Sequence, residues 1–276
     1  MNKLPYLYIP ADGPMTPVVV SVPHSGLRIP DEDKALIISD ERTMLRDADL
    51  HVDRLYRNAA NLGADLLVAT VSRYVLDLNR SPEDVDAKTC PEFPTPAREN
   101  PRALVWRKST DGRDVQARPL TLAEINSRIE RVHTPYHAKL RSLLDARVAK
   151  FGYAILLDAH SMPSVGRETH SDTGKRRADA VPGNNKGSSC ADSLTQLVVE
   201  HFEAHEFHVA LNDPYSGGWI TRNYGQPHNN VHAIQVELNR ALYLHEEVPF
   251  WAGAPALELQ VILDALVQKI LAYTPD

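Results

Sequence analysis

The sequence predicts an α/β fold built on a mixed, mostly parallel sheet. Three observations point there. Short runs rich in Val, Ile and Leu, such as VVVSV, AILLDAH and AIQVELN, have the length and β-branched content of buried strands. Stretches with helical apolar spacing alternate with them. No internal repeat, linker or charge block divides the 276 residues, so a single domain over 1–276 with a large core is expected.

The elements follow in order. Residues 17–22 form the first strand, which Pro23 ends just before His24. A helix is expected over 42–62, with Asp53, Leu55, Tyr56 and Ala59 at helical spacing and Gly63 as its stop. Residues 64–71 read as a strand, and the alternation in Tyr74–Arg80 reads as another. Prolines and charges dominate 81–102, a long functional loop. Apolar residues from Ile125 to Val148 predict one long helix over 120–150, kinked near Pro135. A strand ending at Asp158 and His160 comes next, then a polar, glycine-bearing stretch over 161–189 suited to covering a site. The remainder reads as a helix over 193–205, a strand over 207–213, a short helix over 219–225, a strand over 232–240 and a terminal helix over 256–273.

Composition narrows the function. A net charge of −6 leaves no Lys/Arg excess to neutralise phosphates, so no nucleic-acid partner is expected and a small molecule is. The two cysteines, Cys90 and Cys190, fit a reducing compartment. No sustained apolar segment approaches the roughly 20 residues of a membrane span, and the protein reads as cytoplasmic.

His24, His160 and Glu237 each stand at the end of an apolar run, so three titratable side chains reach one rim of the sheet, where open α/β sheets bind ligands. Either histidine alone is more simply a strand-end residue bonded to a neighbour. Together they point to a metal, because catalytic zinc takes imidazole and carboxylate ligands and keeps one position open. The third ligand is sought in the acidic cluster Asp47, Asp49, Asp53, with Asp49 preferred and the other two as alternates. Asp158, two residues before His160, is placed to accept an imidazole N–H. Glu237 between Val236 and Leu238 suits a general base of raised pKa, or else half of an ion pair with Arg240 or Arg80. Asn79 and Arg80 can grip a substrate carboxylate or stabilise an oxyanion. Arg222 and Asn223, after the Gly217-Gly218 pair, form a second candidate substrate group. The spacing of His228 and His232 has no helical pattern around it and reads as loop chemistry of low specificity.

Six segments, PHSG at 23–26, DADLHVDRLY at 47–56, LDLNRSPED at 76–84, DAHSMPS at 158–164, SGGWITRNYGQP at 216–227 and QVELNRALYL at 235–244, together resemble the N-formylglutamate amidohydrolase (deformylase) family. That family is related to zinc carboxypeptidases and to deacylases of the aspartoacylase and succinylglutamate desuccinylase kind. The resemblance implies a phosphorylase/hydrolase-like three-layer sandwich with helices on both faces, one zinc per chain, and hydrolysis of N-formyl-L-glutamate to formate and glutamate in histidine degradation. It assigns His24 and His160 to the metal, Glu237 to the general base, and Asn79 with Arg80 to the substrate. Those relatives place a glutamate ligand three residues after the first histidine, where this chain has Leu27, so its third ligand must be remote. Three rival functions stay open: a metal-dependent deacylase of another N-acyl amino acid, a serine mechanism through Ser25 or Ser161, and a metal- or ligand-binding protein without catalysis.

Overall fold

Strands β1 (Tyr6–Ile9), β2 (Val18–Val22), β3 (Asp65–Ala69), β4 (Ala154–Met162), β5 (Ala180–Gly183) and β6 (Val231–Asn239) form one sheet in the computed structural model, which describes residues 4–94, 99–247 and 249–275. The order is β1-β3-β2-β4-β6-β5. The four central strands run parallel, and β1 and β5 close the edges antiparallel. β7 (Leu244–His245) and β8 (Phe250–Trp251) pair separately. The helices are α1 (Glu41–Asp47), α2 (Val52–Leu55), α3 (Ala59–Leu62), α4 (Leu122–Arg128), α5 (Thr134–Phe151), α6 (Asp192–Glu203), α7 (Trp219–Tyr224) and α8 (Ala254–Ala272).

Strand alternation divides the core in two. Val18, Val20, Val22, Ile155, Leu157 and Val236 face α2, α3, α6 and α8, against Leu55, Val198 and Leu263. Val19, Leu67, Leu156 and Ala233 face α4, α5 and α7, against Ile125, Leu140 and Ile220. This is the expected three-layer sandwich with apolar runs buried on both faces, as parallel strands require.

Several expected elements differ. The helix expected over 42–62 is three short pieces, because the chain turns at residues 48–51 with His51 in the left-handed region (φ 65°). Tyr74–Arg80 is a set of turns. Ser72 Oγ accepts from the Tyr74 N–H and Asp77 Oδ1 from the Asn79 N–H, and these local bonds displace the strand ladder. The expected strand over 207–213 reduces to one bridge, Val209 to Ala180, before the chain turns at Asn212 (φ 62°). The long helix at 120–150 keeps its extent, with a π turn at Ile129–His133 that lets Pro135 enter the first turn of α5. β5 lies inside the stretch expected to be loop.

Candidate active site

The chain leaves β2 for β3 on one side and returns past it to β4 on the other, so strand order reverses between β2 and β4. Ligands of open α/β sheets bind at the carboxyl ends of strands beside such a reversal. His24 follows β2 there, and the parallel register sets His160 of β4 beside Glu237 of β6 and Asp158 beside Gln235, all on one face. Gly26 holds the turn after His24 close to the end of β3: a Cβ there would meet the Thr70 carbonyl carbon at 2.6 Å. Asp49 arrives from the break between α1 and α2, where its N–H donates to His24 O at 3.0 Å.

The buried His24, Asp49 and His160 bring one ligand atom each within 4.8 Å of one another. His24 Nδ1 lies 3.4 Å and His160 Nδ1 3.1 Å from Asp49 Oδ2. On the outer edges of the rings, His24 Nε2 meets Asp77 Oδ1 at 2.7 Å and His160 Nε2 meets Asp158 Oδ2 at 3.2 Å. A carboxylate can only accept, so Asp77 and Asp158 fix the Nε2–H tautomers and leave both Nδ1 lone pairs facing Asp49. Three acceptors converging in a buried space call for a cation. A proton answers the same need for positive charge. Burial opposes charge on His160, yet Asp158 and Asp49 hold its pKa well above the ordinary imidazole value. Burial likewise raises Asp49, but His160 and His24 hold its carboxyl well below the usual range. A divalent metal satisfies all three atoms at once, and an N, N, O donor set with an open side is the kind that catalytic zinc uses.

Asp49 Oδ1 is taken by Arg240 Nη2 at 3.0 Å, with Arg73 Nη1 at 3.7 Å. Arg73 Nη2 and Trp106 Nε1 bind Asp77 Oδ2 at 2.7 and 2.9 Å. Thr221 Oγ1 and Ser21 Oγ donate to Asp158 at 3.3 and 3.4 Å. The carboxylates that orient the imidazoles are thus themselves oriented, which holds the triad rigid.

A cavity of about 480 Å³ opens onto the triad. Glu237 lines it, with Oε1 accepting from Gln235 Nε2 at 3.1 Å and no partner for Oε2 among the described residues. Burial raises its pKa, with His160 opposing. The ion pair with Arg240 or Arg80 considered from sequence does not form, since Arg240 binds Asp49 and Ser161 instead. Six arginines line the same cavity among the described residues. Arg73, Arg167 and Arg240 pair with Asp77, Asp47 and Asp49. Arg80, Arg102 and Arg222 have no carboxylate partner among the described residues. Arg80 donates to Arg102 O and Asn79 O, Arg102 to Thr169, and Arg222 to Gly217 O.

Of the acids named from sequence, only Asp49 reaches both imidazoles. Asp47 lines the cavity but is engaged by Thr110, Tyr74 and Arg167, and Asp53 sits on α2 outside the lining. Asn79 is buried beside the triad, its Nδ2 3.3 Å from His160 Nε2 and its Oδ1 accepting from the Ile220 N–H at 2.7 Å. Gly218 makes room for it, since a Cβ there would strike Asn79 Nδ2. Asn223, one residue further round α7 from Arg222, is not among the lining residues; its carbonyl accepts from Gln226 Nε2. His232 lies at the amino end of β6, away from the site, and its Nδ1 accepts from the Ala191 N–H that opens α6. Ser161 lines the cavity with its Oγ bonded to Arg240 Nε, and Ser25 is not among the lining residues. Sequence reasoning passed over Asp77, Arg73 and Arg102. The strand-like alternation around Asp77 concealed its turn, and Arg102 lies at the end of a loop without periodicity.

Comparison with known proteins adds an independent line. The profile of the N-formylglutamate amidohydrolase family matches residues 16–244. The chain is 37% identical over 262 residues to N-formylglutamate deformylase of Pseudomonas aeruginosa and 34% identical to that of Pseudomonas putida, covering 93% of this chain and of each relative. The crystal structure of an N-formylglutamate amidohydrolase from Ralstonia eutropha superposes with a TM-score of 0.90 at 29% identity, covering 98% of both chains. A gene product of Agrobacterium tumefaciens shares the fold, with a TM-score of 0.71 at 20% identity over 98% of this chain and 96% of its own. Motif order, three-layer topology and near-complete coverage agree, and the chain belongs to the N-formylglutamate amidohydrolase family.

Proposed function

We propose that this chain hydrolyses the amide bond of N-formyl-L-glutamate to formate and L-glutamate, with one zinc held by His24, Asp49 and His160. The observation that carries the reading is a cavity with a buried His-Asp-His triad and three arginines, Arg80, Arg102 and Arg222, that have no carboxylate partner among the described residues. A substrate with two carboxylates and one scissile amide needs both features. The family relatives named N-formylglutamate deformylase support the same substrate. When bound, zinc supplies Lewis-acid polarisation of a carbonyl and acidifies water near neutral pH.

The chain's own residues do the rest. Glu237, raised by burial and with no partner for Oε2 among the described residues, takes the proton of the attacking water and passes it to the leaving nitrogen of glutamate. The role of the Arg80 guanidinium in this reading is to meet the negative charge that develops on the formyl oxygen as the tetrahedral carbon forms. Arg222 and Arg102 take substrate carboxylates, for which a guanidinium offers two parallel donors. Asp77 and Asp158 hold the Nε2 protons of the two rings and so turn both Nδ1 atoms toward the metal side.

Arg222→Ala is expected to raise KM for N-formyl-L-glutamate by about 10- to 100-fold, since a hydrogen bond to a charged group contributes roughly 1.5–3 kcal/mol. Its kcat should change little. Steady-state formate release measures both, and an unchanged KM would remove Arg222 from the substrate site.

A further inference from the structure

Behind the cavity wall, the π turn Ile129–His133 and the first turn of α5 carry two buried histidines, His133 and His137, with ring centroids 4.1 Å apart. π turns inside helices recur at functional sites. His137 Nε2 meets Leu78 O at 2.9 Å and His133 Nε2 meets Arg80 O at 3.1 Å. A carbonyl only accepts, so both nitrogens carry protons. Between these two carbonyls, Asn79 O accepts from the Trp219 N–H at 3.3 Å. Three successive carbonyls, of Leu78, Asn79 and Arg80, are therefore each gripped by a separate donor. Trp219 also packs on both imidazoles, at 5.2 and 4.7 Å. Tyr224 OH, 3.0 Å from His137 Nδ1, fixes the second ring from its other edge.

Packing alone does not explain this pair. Two apolar side chains would fill the slot without desolvating imidazoles, whereas two histidines supply the two N–H groups that the bent 78–80 backbone needs. Burial keeps them neutral, pushing His133 down to about 4 and His137 well below its ordinary value. Neutral rings pack against each other at this distance, tilted by 37°, without charge repulsion, and each keeps one N–H to donate.

We infer that His133 and His137 are positioning residues that hold the Asn79-Arg80 turn, and with it the Arg80 guanidinium, in register with the metal triad. The inference rests on Arg80 acting on substrate, as proposed above. The Arg80 side chain starts from the backbone that the histidines grip and donates to Asn79 O within it, while Arg102 O of the neighbouring loop accepts from its Nε, so a displaced 78–80 turn moves the guanidinium. A shift of about 1 Å there is expected to cost on the order of 10²-fold in rate.

The test is steady-state formate release from N-formyl-L-glutamate by the zinc-loaded full chain, with His133→Ala, His133→Gln and His137→Gln, each alone and combined with Arg80→Ala. His133→Ala is expected to lower kcat/KM on the order of 10²-fold. His133→Gln, which keeps an N–H at the reach of Nε2, should restore most of it, and His137→Gln should likewise stay near the parent. In the Arg80→Ala background the His133→Ala loss should shrink to a few-fold, because the group being positioned is gone. If the alanine chain does not fold, His133→Phe fills the slot without a donor and carries the same comparison. Equal fractional losses in both backgrounds, or parent kinetics for His133→Ala or His133→Phe, would overturn the positioning role while leaving Arg80's role intact. Undiminished activity of Arg80→Ala alone would instead overturn the reading of Arg80, and this inference with it.

Discussion

Glu237→Gln is expected to lower kcat for formate release by about 10²- to 10⁴-fold, the range a positioned general base contributes. KM and metal content should stay near those of the parent chain. Glutamine preserves the shape of the side chain on β6 but cannot take a proton from water. Glu237 touches neither Asp49 nor the histidines by hydrogen bond, so the triad should be unaffected. Its surroundings suit the role: burial raises the pKa, one oxygen accepts from Gln235, and the other has no partner among the described residues. Kinetics with a parallel zinc determination separate lost proton transfer from lost metal. A Glu237→Gln chain with parental kcat would show that another group moves the proton.

His160→Ala is expected to lose both metal and turnover. It removes one of the three proposed ligands and breaks the line from Asp158 to Asp49 that runs through the ring. Partners that merely orient a liganding imidazole typically contribute 10- to 100-fold in affinity, so losing the ligand itself should lower zinc affinity by more than ~10²-fold. Asp77→Asn provides the graded comparison. It leaves His24 in place but replaces the carboxylate at 2.7 Å from its Nε2, and should fall within the ~10- to 100-fold range. Zinc titration against a competing chelator measures all three chains. Equal zinc affinity of His160→Ala and the parent would contradict the triad.

What sequence revealed and concealed follows from how each residue is held. β2, β4 and β6 are buried on both faces, so they read as apolar runs, and the polar residues within two positions of their carboxyl ends, His24, His160 and Glu237, stand out as punctuation. Asp49 was one acid among three, and what separates it from Asp47 and Asp53 is the left-handed His51 that breaks the expected helix. A non-glycine residue in that conformation leaves no pattern in hydrophobic spacing. Asp77 was concealed more thoroughly: Leu76 and Leu78 pack in the core on either side, which imitates a strand, while side-chain bonds at Ser72 and Asp77 fold the segment into turns. Arg102 comes from a proline-rich loop, and nothing local indicates that it meets Arg80 and the segment bearing Thr169 in one cavity. Topology alone brings these groups together. The order reversal between β2 and β4 sets the place, and the long connections fill it.

The central claim, that the His24-Asp49-His160 triad holds a zinc needed for deformylation, is tested most directly by measuring metal content and formate release on the purified chain before and after chelation. About one zinc per chain is expected, with loss of formate release on its removal and recovery when zinc is returned. Full activity after complete removal of metal would contradict it.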